Sequence, residues 1–102
     1  MPAPFLHKDL AYSTLAAGIA AGATTLDVAA GEGAKFPAEN FYCVIWNSTD
    51  YGGPHLDSAA EIILVTTRTA DAFNPIVRGQ GDTSDVAHNT GGKTYSIANV
   101  MP

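Results

Sequence analysis

Residues 41–46, Phe-Tyr-Cys-Val-Ile-Trp, decide the fold, because every side chain in this run is aromatic, β-branched or otherwise apolar. Aromatic and β-branched residues are enriched in strands, and a short apolar run of this kind is typical of a strand with a buried face. A second run, Glu61–Arg68 (EIILVTTR), is nearly continuous in apolar character. Both runs are predicted to be β-strands.

Weaker strand patterns lie on either side of these two runs. Leu26 and Val28 alternate with Thr25 and Asp27, which predicts a half-buried strand over Thr24–Ala29. Phe36 is expected to point inward at the end of a glycine-rich loop. Further strands are predicted over Leu10–Ala23, Phe73–Arg78 and Lys93–Val100, a long loop over Ser48–Ser58, a turn over Gly79–Asp82 and one helical turn over Thr83–His88. The chain is therefore predicted to be all-β, a small β-sandwich or barrel of about 5–7 short strands.

The N-terminal segment differs from the rest of the chain. Residues 1–10 contain Pro2 and Pro4 and no periodicity, so they are predicted to form an extended arm, with residues 11–102 as a single β domain. Phe5, Leu6 and Leu10 are its candidate partner-contact residues. The segment lacks the basic start and apolar stretch of a signal peptide, which predicts synthesis and assembly in a cytoplasm.

Composition and charge exclude several classes of function. Charged residues make up 15% of the 102 residues, and the net charge is -5. The cations are scattered along the chain: Lys8, Lys35, Arg68, Arg78 and Lys93. Nucleic-acid binding and a basic membrane-surface helix both need clustered cations, so neither is expected. No window is apolar enough to predict a membrane span.

The residue types that carry catalysis are present, but their spacing fits no reaction. Cys43 lies within an apolar strand and is predicted to be a buried hydrophobe. The histidines His7, His55 and His88 are too far apart for a zinc motif, so no metal and no cofactor are expected. Gly91–Thr94 ends like a phosphate-binding loop, but Ala87 stands where that loop needs its first glycine. The sequence therefore predicts a protein that is not an enzyme.

A polar and glycine-rich stretch, Arg78–Gly91 (RGQGDTSDVAHNTG), follows the predicted strand. Arg78 can donate hydrogen bonds to carbonyls or to a carboxylate across the turn. Gly79 and Gly81 permit positive φ, Thr83 can cap the short turn, and His88 can bond a backbone group. On this interpretation the residues stabilise the fold and form no catalytic set.

The same stretch resembles a motif of small β-modules in virion proteins of tailed bacteriophages. The resemblance rests on an Arg-Gly-Gln turn followed by a threonine, a histidine and a glycine: Arg78, Gly79, Gln80, Thr83, His88 and Gly91. Ala23–Val28, Phe36-Pro37 and Glu61–Val65 are similar to the module's upstream parts. Gly81-Asp82 reverses the family's usual order of an acid followed by glycine.

The resemblance implies a structural protein of the virion, assembled in the cytoplasm of a host bacterium. A capsid decoration or cement protein is favoured, which would bridge subunits of the major capsid protein and form a homo-oligomer, with a trimer favoured. A tail, neck or baseplate component is the alternative. A host-receptor or carbohydrate-binding module is a third, different class, for which Tyr51 and His55 in the long loop are the candidate contact residues.

Overall fold

A computed structural model describes residues 11–100 and confirms the all-β prediction. Two short 3-10 turns, Gly33–Lys35 and Pro54–Leu56, accompany the strands. The strands are β1 (Tyr12–Thr14), β2 (Leu26–Asp27), β3 (Glu39–Asn47), β4 (Glu61–Thr69), β5 (Ala72–Phe73), β6 (Ile76–Gln80) and β7 (Tyr95–Val100). No helix in the described part of the chain is long and apolar enough to cross a membrane.

All strand pairs are antiparallel, and the two apolar runs lie side by side at the centre. The strand order is β1-β7-β3-β4-β5-β2, with β6 also paired to β4. Phe41 of β3 lies opposite Val65 of β4, and Ile45 lies opposite Ile97 of β7. β5 and β6 pair with successive parts of β4, on either side of Pro75.

Hydrogen bonds between the two ends of this strand order close the sheet into a barrel. Leu15, just after β1, forms an antiparallel bridge with Val28, just after β2. The Ala16 amide donates to the Asp27 carbonyl, and the Ala29 amide donates to the Thr14 carbonyl, each at 2.9 Å. Closure satisfies the backbone groups that an open sheet leaves at its two outermost strands.

The barrel interior is filled by alternate side chains of the strands. Three phenyl rings form its centre: Phe73 meets Phe36 and Phe41 edge to face, with ring centroids 5.1 and 5.3 Å apart. All three are fully buried, and each contributes about 1.5–3 kcal/mol to folding by its burial. The rest of the core is Ala11, Leu15, Leu26, Val28, Cys43, Ile45, Ile63, Val65, Ile76 and Ile97.

The prediction of a strand over Leu10–Ala23 is wrong for most of its length. Only Tyr12–Thr14 is a strand, Leu15 and Ile19 form isolated bridges, and Leu10 lies outside the described residues. The alanine- and glycine-rich sequence offers few side chains that can pack on a pleated surface, so pairing ends early. The strand predicted over Thr24–Ala29 likewise shortens to Leu26–Asp27, although its burial alternates as expected.

The region after β4 also departs from the predictions. The strand expected over Phe73–Arg78 is two strands, β5 and β6, because Pro75 has no amide for the ladder. β6 runs through Gly79 and Gln80, where a turn was expected. The predicted helical turn over Thr83–His88 is absent, and this segment is irregular backbone. The strand expected to begin at Lys93 begins at Tyr95.

Candidate functional site

The polar stretch after β6 folds around one buried carboxylate, that of Glu61. This side chain is fully buried at the start of β4. Its Oε2 atom accepts from the Arg78 Nε and from the Gly79 amide, each at 2.8 Å. Its Oε1 atom lies 2.9 Å from the Arg78 Nη2 and 2.8 Å from the His88 Nε2. A buried charge is costly without partners, so these contacts are needed to hold the carboxylate inside.

Arg78 joins this carboxylate to two other segments of the chain. Its Nη1 donates to the Ala20 and Ala23 carbonyls at 2.9 and 3.1 Å. Its Nη2 also donates to the Val86 carbonyl at 2.6 Å. The side chain is only 5% exposed and lies 3.1 Å from an Asp85 oxygen. Arg78 thus makes the expected contacts, with carbonyls and with a carboxylate, and fastens the irregular segments 20–23 and 85–86 to the barrel.

His88 contacts Glu61 through its ring and a neighbouring segment through its backbone. The sequence predicted that His88 bonds a backbone group, and the ring nitrogen Nε2 also bonds the Glu61 carboxylate at 2.8 Å. The backbone of His88 pairs with that of Ile19 in both directions, at 2.8 and 3.0 Å. The imidazole is fully buried and packs 5.5 Å from the ring of Tyr95. His88 therefore fastens the far end of the Arg78–Gly91 stretch to the Glu61 carboxylate, which Arg78 also binds.

The glycines and Thr83 shape the turn between these residues. Gly79 and Gly81 both have φ of +61°, the left-handed region that favours glycine. Thr83 caps no helix. Its Oγ1 accepts from the Ile62 amide at 2.9 Å and donates to the Gln80 carbonyl at 2.6 Å. Thr83 therefore bridges β4 and β6 where their ladder has a register shift.

The two remaining motif residues, Gln80 and Gly91, lie outside the contacts around Glu61. Gln80 Nε2 donates to the Arg78 carbonyl at 3.2 Å, a local bond at the end of β6. Gly91 is exposed, and its amide donates to Asn89 Oδ1 at 2.9 Å. Neither residue touches the Glu61 carboxylate. The Val86 amide does, donating to Oε1 at 3.4 Å, so the cluster itself consists of Glu61, Arg78 and His88 with the Gly79 and Val86 amides.

The cluster keeps its carboxylate ionised. Burial alone would raise the pKa of Glu61, but the bonds from Arg78, the Gly79 amide and His88 outweigh it and hold the pKa below its ordinary value. The hydrogen bonds to Glu61 raise the pKa of Arg78 in turn. The pair is therefore charged at neutral pH, and both acceptor oxygens are already occupied.

Sequence reasoning missed Glu61 as a member of the site. The sequence did contain a signal. Glu61 is a single acid at the start of an otherwise apolar strand, Glu61–Val65, and Arg78 and His88 further along the chain are residues that an acid can pair with. Without the pairing of β4 and β6, nothing in the sequence brings these residues together.

The candidate partner-contact residues lie elsewhere. Tyr51, 38% exposed, and His55, also exposed, lie on the long loop between β3 and β4. Asp57 ties this loop to the barrel by accepting from the Asn47 amide at 2.9 Å, and Lys93 forms an ion pair with Asp50. Phe5, Leu6 and Leu10 lie outside the described residues.

The other chemically reactive side chains among residues 11–100 form no second candidate site. Cys43 is fully buried in the core, and burial raises the pKa of its thiol well above the ordinary value. No group of three or more histidine, cysteine or acidic side chains in that range is placed to hold a metal ion. A groove between residues 54–60 and 82–86 includes Asp57, but both of its oxygens already accept backbone amides.

No family model matches the chain, and no curated protein matches it.

Proposed function

We propose that this chain is a structural protein of a bacteriophage particle, and that it decorates and stabilises the head. The observation that carries the proposal is the convergence of Arg78 and His88 on Glu61. The spacing that resembles the virion motif corresponds in this chain to a fold-stabilising cluster. A motif of that kind can recur among proteins that share a module without sharing a catalytic reaction.

The chemistry of the cluster favours a structural role over catalysis. A general acid or base must be able to reach a proton on a substrate, and Glu61 and His88 are both buried and bonded to each other. The Arg78 guanidinium is likewise engaged by a carboxylate and three carbonyls. These contacts leave no group of the cluster directed at a ligand.

The surface suits a protein that is covered by neighbours. Large apolar side chains are exposed at several places: Tyr12 (48%), Tyr51 (38%), Leu56 (57%) and Val77 (43%). With charged residues at only 15% of the chain, burying such a surface carries a small desolvation cost. A protein that binds only the assembled shell stabilises it by mass action, by about 2.7 kcal/mol per site at a concentration a hundred times the dissociation constant.

Fractionated particles test this proposal. Heads and tails purified separately from the phage that encodes the chain are digested, and the protein is quantified against the major capsid protein by mass spectrometry. Enrichment in heads at a fixed ratio is the expected result. Enrichment in tails favours a tail, neck or baseplate component instead, and absence from both fractions contradicts a virion role.

A further inference from the structure

Two irregular loops lie side by side on the barrel near the start of β4. Residues 17–23, between β1 and β2, and residues 84–92, between β6 and β7, contain no strand. The Ile19 amide donates to the His88 carbonyl at 3.0 Å, and the His88 amide donates back to the Ile19 carbonyl at 2.8 Å. The two loops therefore form one hydrogen-bonded unit, which we call the loop pair.

A side-chain bond and a close backbone approach join the two loops further. The Gly22 amide donates to Asp85 Oδ1 at 2.8 Å. A Cβ atom on Gly18 would lie 3.0 Å from the His88 carbonyl oxygen, so the backbones of the two loops are already in contact. When one loop leaves the barrel, the other is expected to move with it.

The loop pair is attached to the strands at one place. Among residues 11–100, every hydrogen bond between the loop pair and a strand ends on Arg78 or Glu61. Arg78 donates to carbonyls of both loops, and Glu61 bonds the Val86 amide and the His88 ring. The ion pair of these two residues is thus the polar attachment of both loops.

Hydrophobic contacts add little to this attachment. Ile19 is half-buried against the core, and His88 is the one residue of the loop pair that is buried. Segments with few buried apolar contacts and exposed backbone hydrogen bonds open at a lower free energy than core strands do. The loop pair should therefore open before β3 and β4 separate.

The charge of Glu61 is what keeps Arg78 paired. The titratable and charged groups around Glu61 are Arg78 of β6, Asp85 and His88 of the 84–92 loop, Tyr95 of β7 and Asp57 of the loop before β4. The facing residue of β3 is Ile45, and the 17–23 loop contains no titratable side chain. Without the Glu61 charge, Arg78 would be left with Asp85, 39% exposed, as its counter-charge.

We propose that protonation of Glu61 releases the loop pair from the barrel while the strands stay folded, which makes the cluster an acid-sensitive switch. A buried guanidinium that loses its carboxylate partner is costly, and lifting the loops lets water reach it. The switch is a property of the domain itself, and it goes beyond the proposed function without depending on it.

The direction of the pH dependence follows from the contacts. In the closed form the bonds from Arg78, Gly79 and His88 hold the pKa of Glu61 below the ordinary 4.5, and opening removes those bonds. Opening therefore takes up a proton below about pH 4.5 and none above it. Loop opening should become more frequent by up to about tenfold for each pH unit below that value, until the pKa of the closed form is reached.

NMR hydrogen exchange on the full-length chain measures this opening. The loop reporters are the amides of Ile19, Gly22, Val86 and His88. The ladder amides of β3 and β4, with Trp46 fluorescence, report on the barrel. As the pH falls from 7 to below 4.5, protection of the loop amides should fall after correction for intrinsic exchange, while the barrel amides stay protected and Trp46 emission stays native.

Glu61→Gln reproduces the uncharged state at neutral pH. Its amide nitrogen would face donors, so at pH 7 the loop amides should exchange faster by about tenfold or more in a folded barrel. Acid should then change their protection little. Asp71→Asn is the matched control, because Asp71 also accepts two backbone amides but lies beyond the other end of β4. Its loop amides should behave as in the wild type.

Three results would overturn the inference. In the wild type, loop and barrel amides that lose protection together on acidification would show global unfolding instead of loop release. A folded E61Q whose loop amides stay protected would contradict the role of Glu61, and equal release in D71N would remove its specificity. If E61Q does not fold, the acid series of the wild type decides the question alone.

Discussion

Arg78 and Glu61 form a two-pronged ion pair inside the barrel wall, with Nε–Oε2 and Nη2–Oε1 distances of 2.8 and 2.9 Å. The two residues belong to β6 and β4 and are 17 positions apart in the chain. A paired guanidinium and carboxylate of this geometry is directional as well as strong. The pair fixes where the irregular segment after β6 returns to the barrel.

Arg78→Ala is expected to destabilise the fold by about 3–5 kcal/mol, because it leaves the Glu61 charge buried without its main partner. Guanidinium unfolding followed by Trp46 fluorescence measures the loss. Arg68→Ala is the matched control: the Arg68 side chain donates to the Pro37 and Ala70 carbonyls, and its removal should cost about 0.5–1.5 kcal/mol. Equal losses of unfolding free energy in the two variants would show that the ion pair of Arg78 and Glu61 stabilises the fold no more than hydrogen bonds from an arginine to backbone carbonyls do.

Acid should unfold the protein partly through Glu61. Its pKa in the folded state lies below the ordinary value, so its contribution to stability is present above that value and is lost as the pH falls through the folded pKa. The wild type should therefore lose stability as the pH falls below about 4.5, the ordinary pKa of a glutamate.

Glu61→Gln tests this assignment, because the amide keeps the shape and cannot titrate. The variant is less stable at pH 7 and should lose less stability on acidification than the wild type. Three other carboxylates, Glu32, Asp50 and Asp71, also have lowered pKa values and account for the remaining slope. An unchanged slope in E61Q contradicts the role given to Glu61.

Gly33→Ala should be among the most damaging glycine substitutions. A Cβ atom at this position would lie 1.9 Å from the Ala70 carbonyl oxygen, a backbone atom that cannot move independently. The Gly33 amide also donates to Asp71 at 2.8 Å. Overpacking of this kind costs about 1–3 kcal/mol or more. Gly52→Ala is the control, since its Cβ would meet nothing closer than 4.0 Å, and thermal unfolding should show it nearly unchanged.

Cys43 should not react with thiol reagents while the protein is folded. Its side chain is fully buried and burial raises its pKa, so neither access nor the reactive thiolate is available. A colorimetric thiol assay should detect almost no reactive thiol in the native protein. After unfolding it should detect one thiol per chain. Rapid labelling of the native protein would contradict the described core.

The sequence predicts the barrel's main strands because their patterns are local. β3 and β4 are found within one or two residues of their predicted ends, and Phe36 points inward as expected. The burial of Leu26 and Val28 also follows their alternation. Strong apolar runs have few competing conformations, so local sequence is enough to identify them.

The parts that the sequence misses depend on distant pairing. Barrel closure needs the bridge between Leu15 and Val28, and the cluster needs β6 to lie beside β4. Arg78 was expected to find a carboxylate, but only the strand register identifies Glu61. The helical turn expected after Thr83 fails because the Thr83 hydroxyl instead bridges the Ile62 amide and the Gln80 carbonyl.

The most direct test of a head-stabilising role is to titrate purified protein onto heads that lack it and to measure the temperature at which the shells open. The account predicts saturable binding at a fixed number of copies per shell, with an opening temperature that rises as sites fill. Wild-type protein added to detached tails serves as the control. Heads that bind no protein, or that bind it and open at an unchanged temperature, would contradict the account.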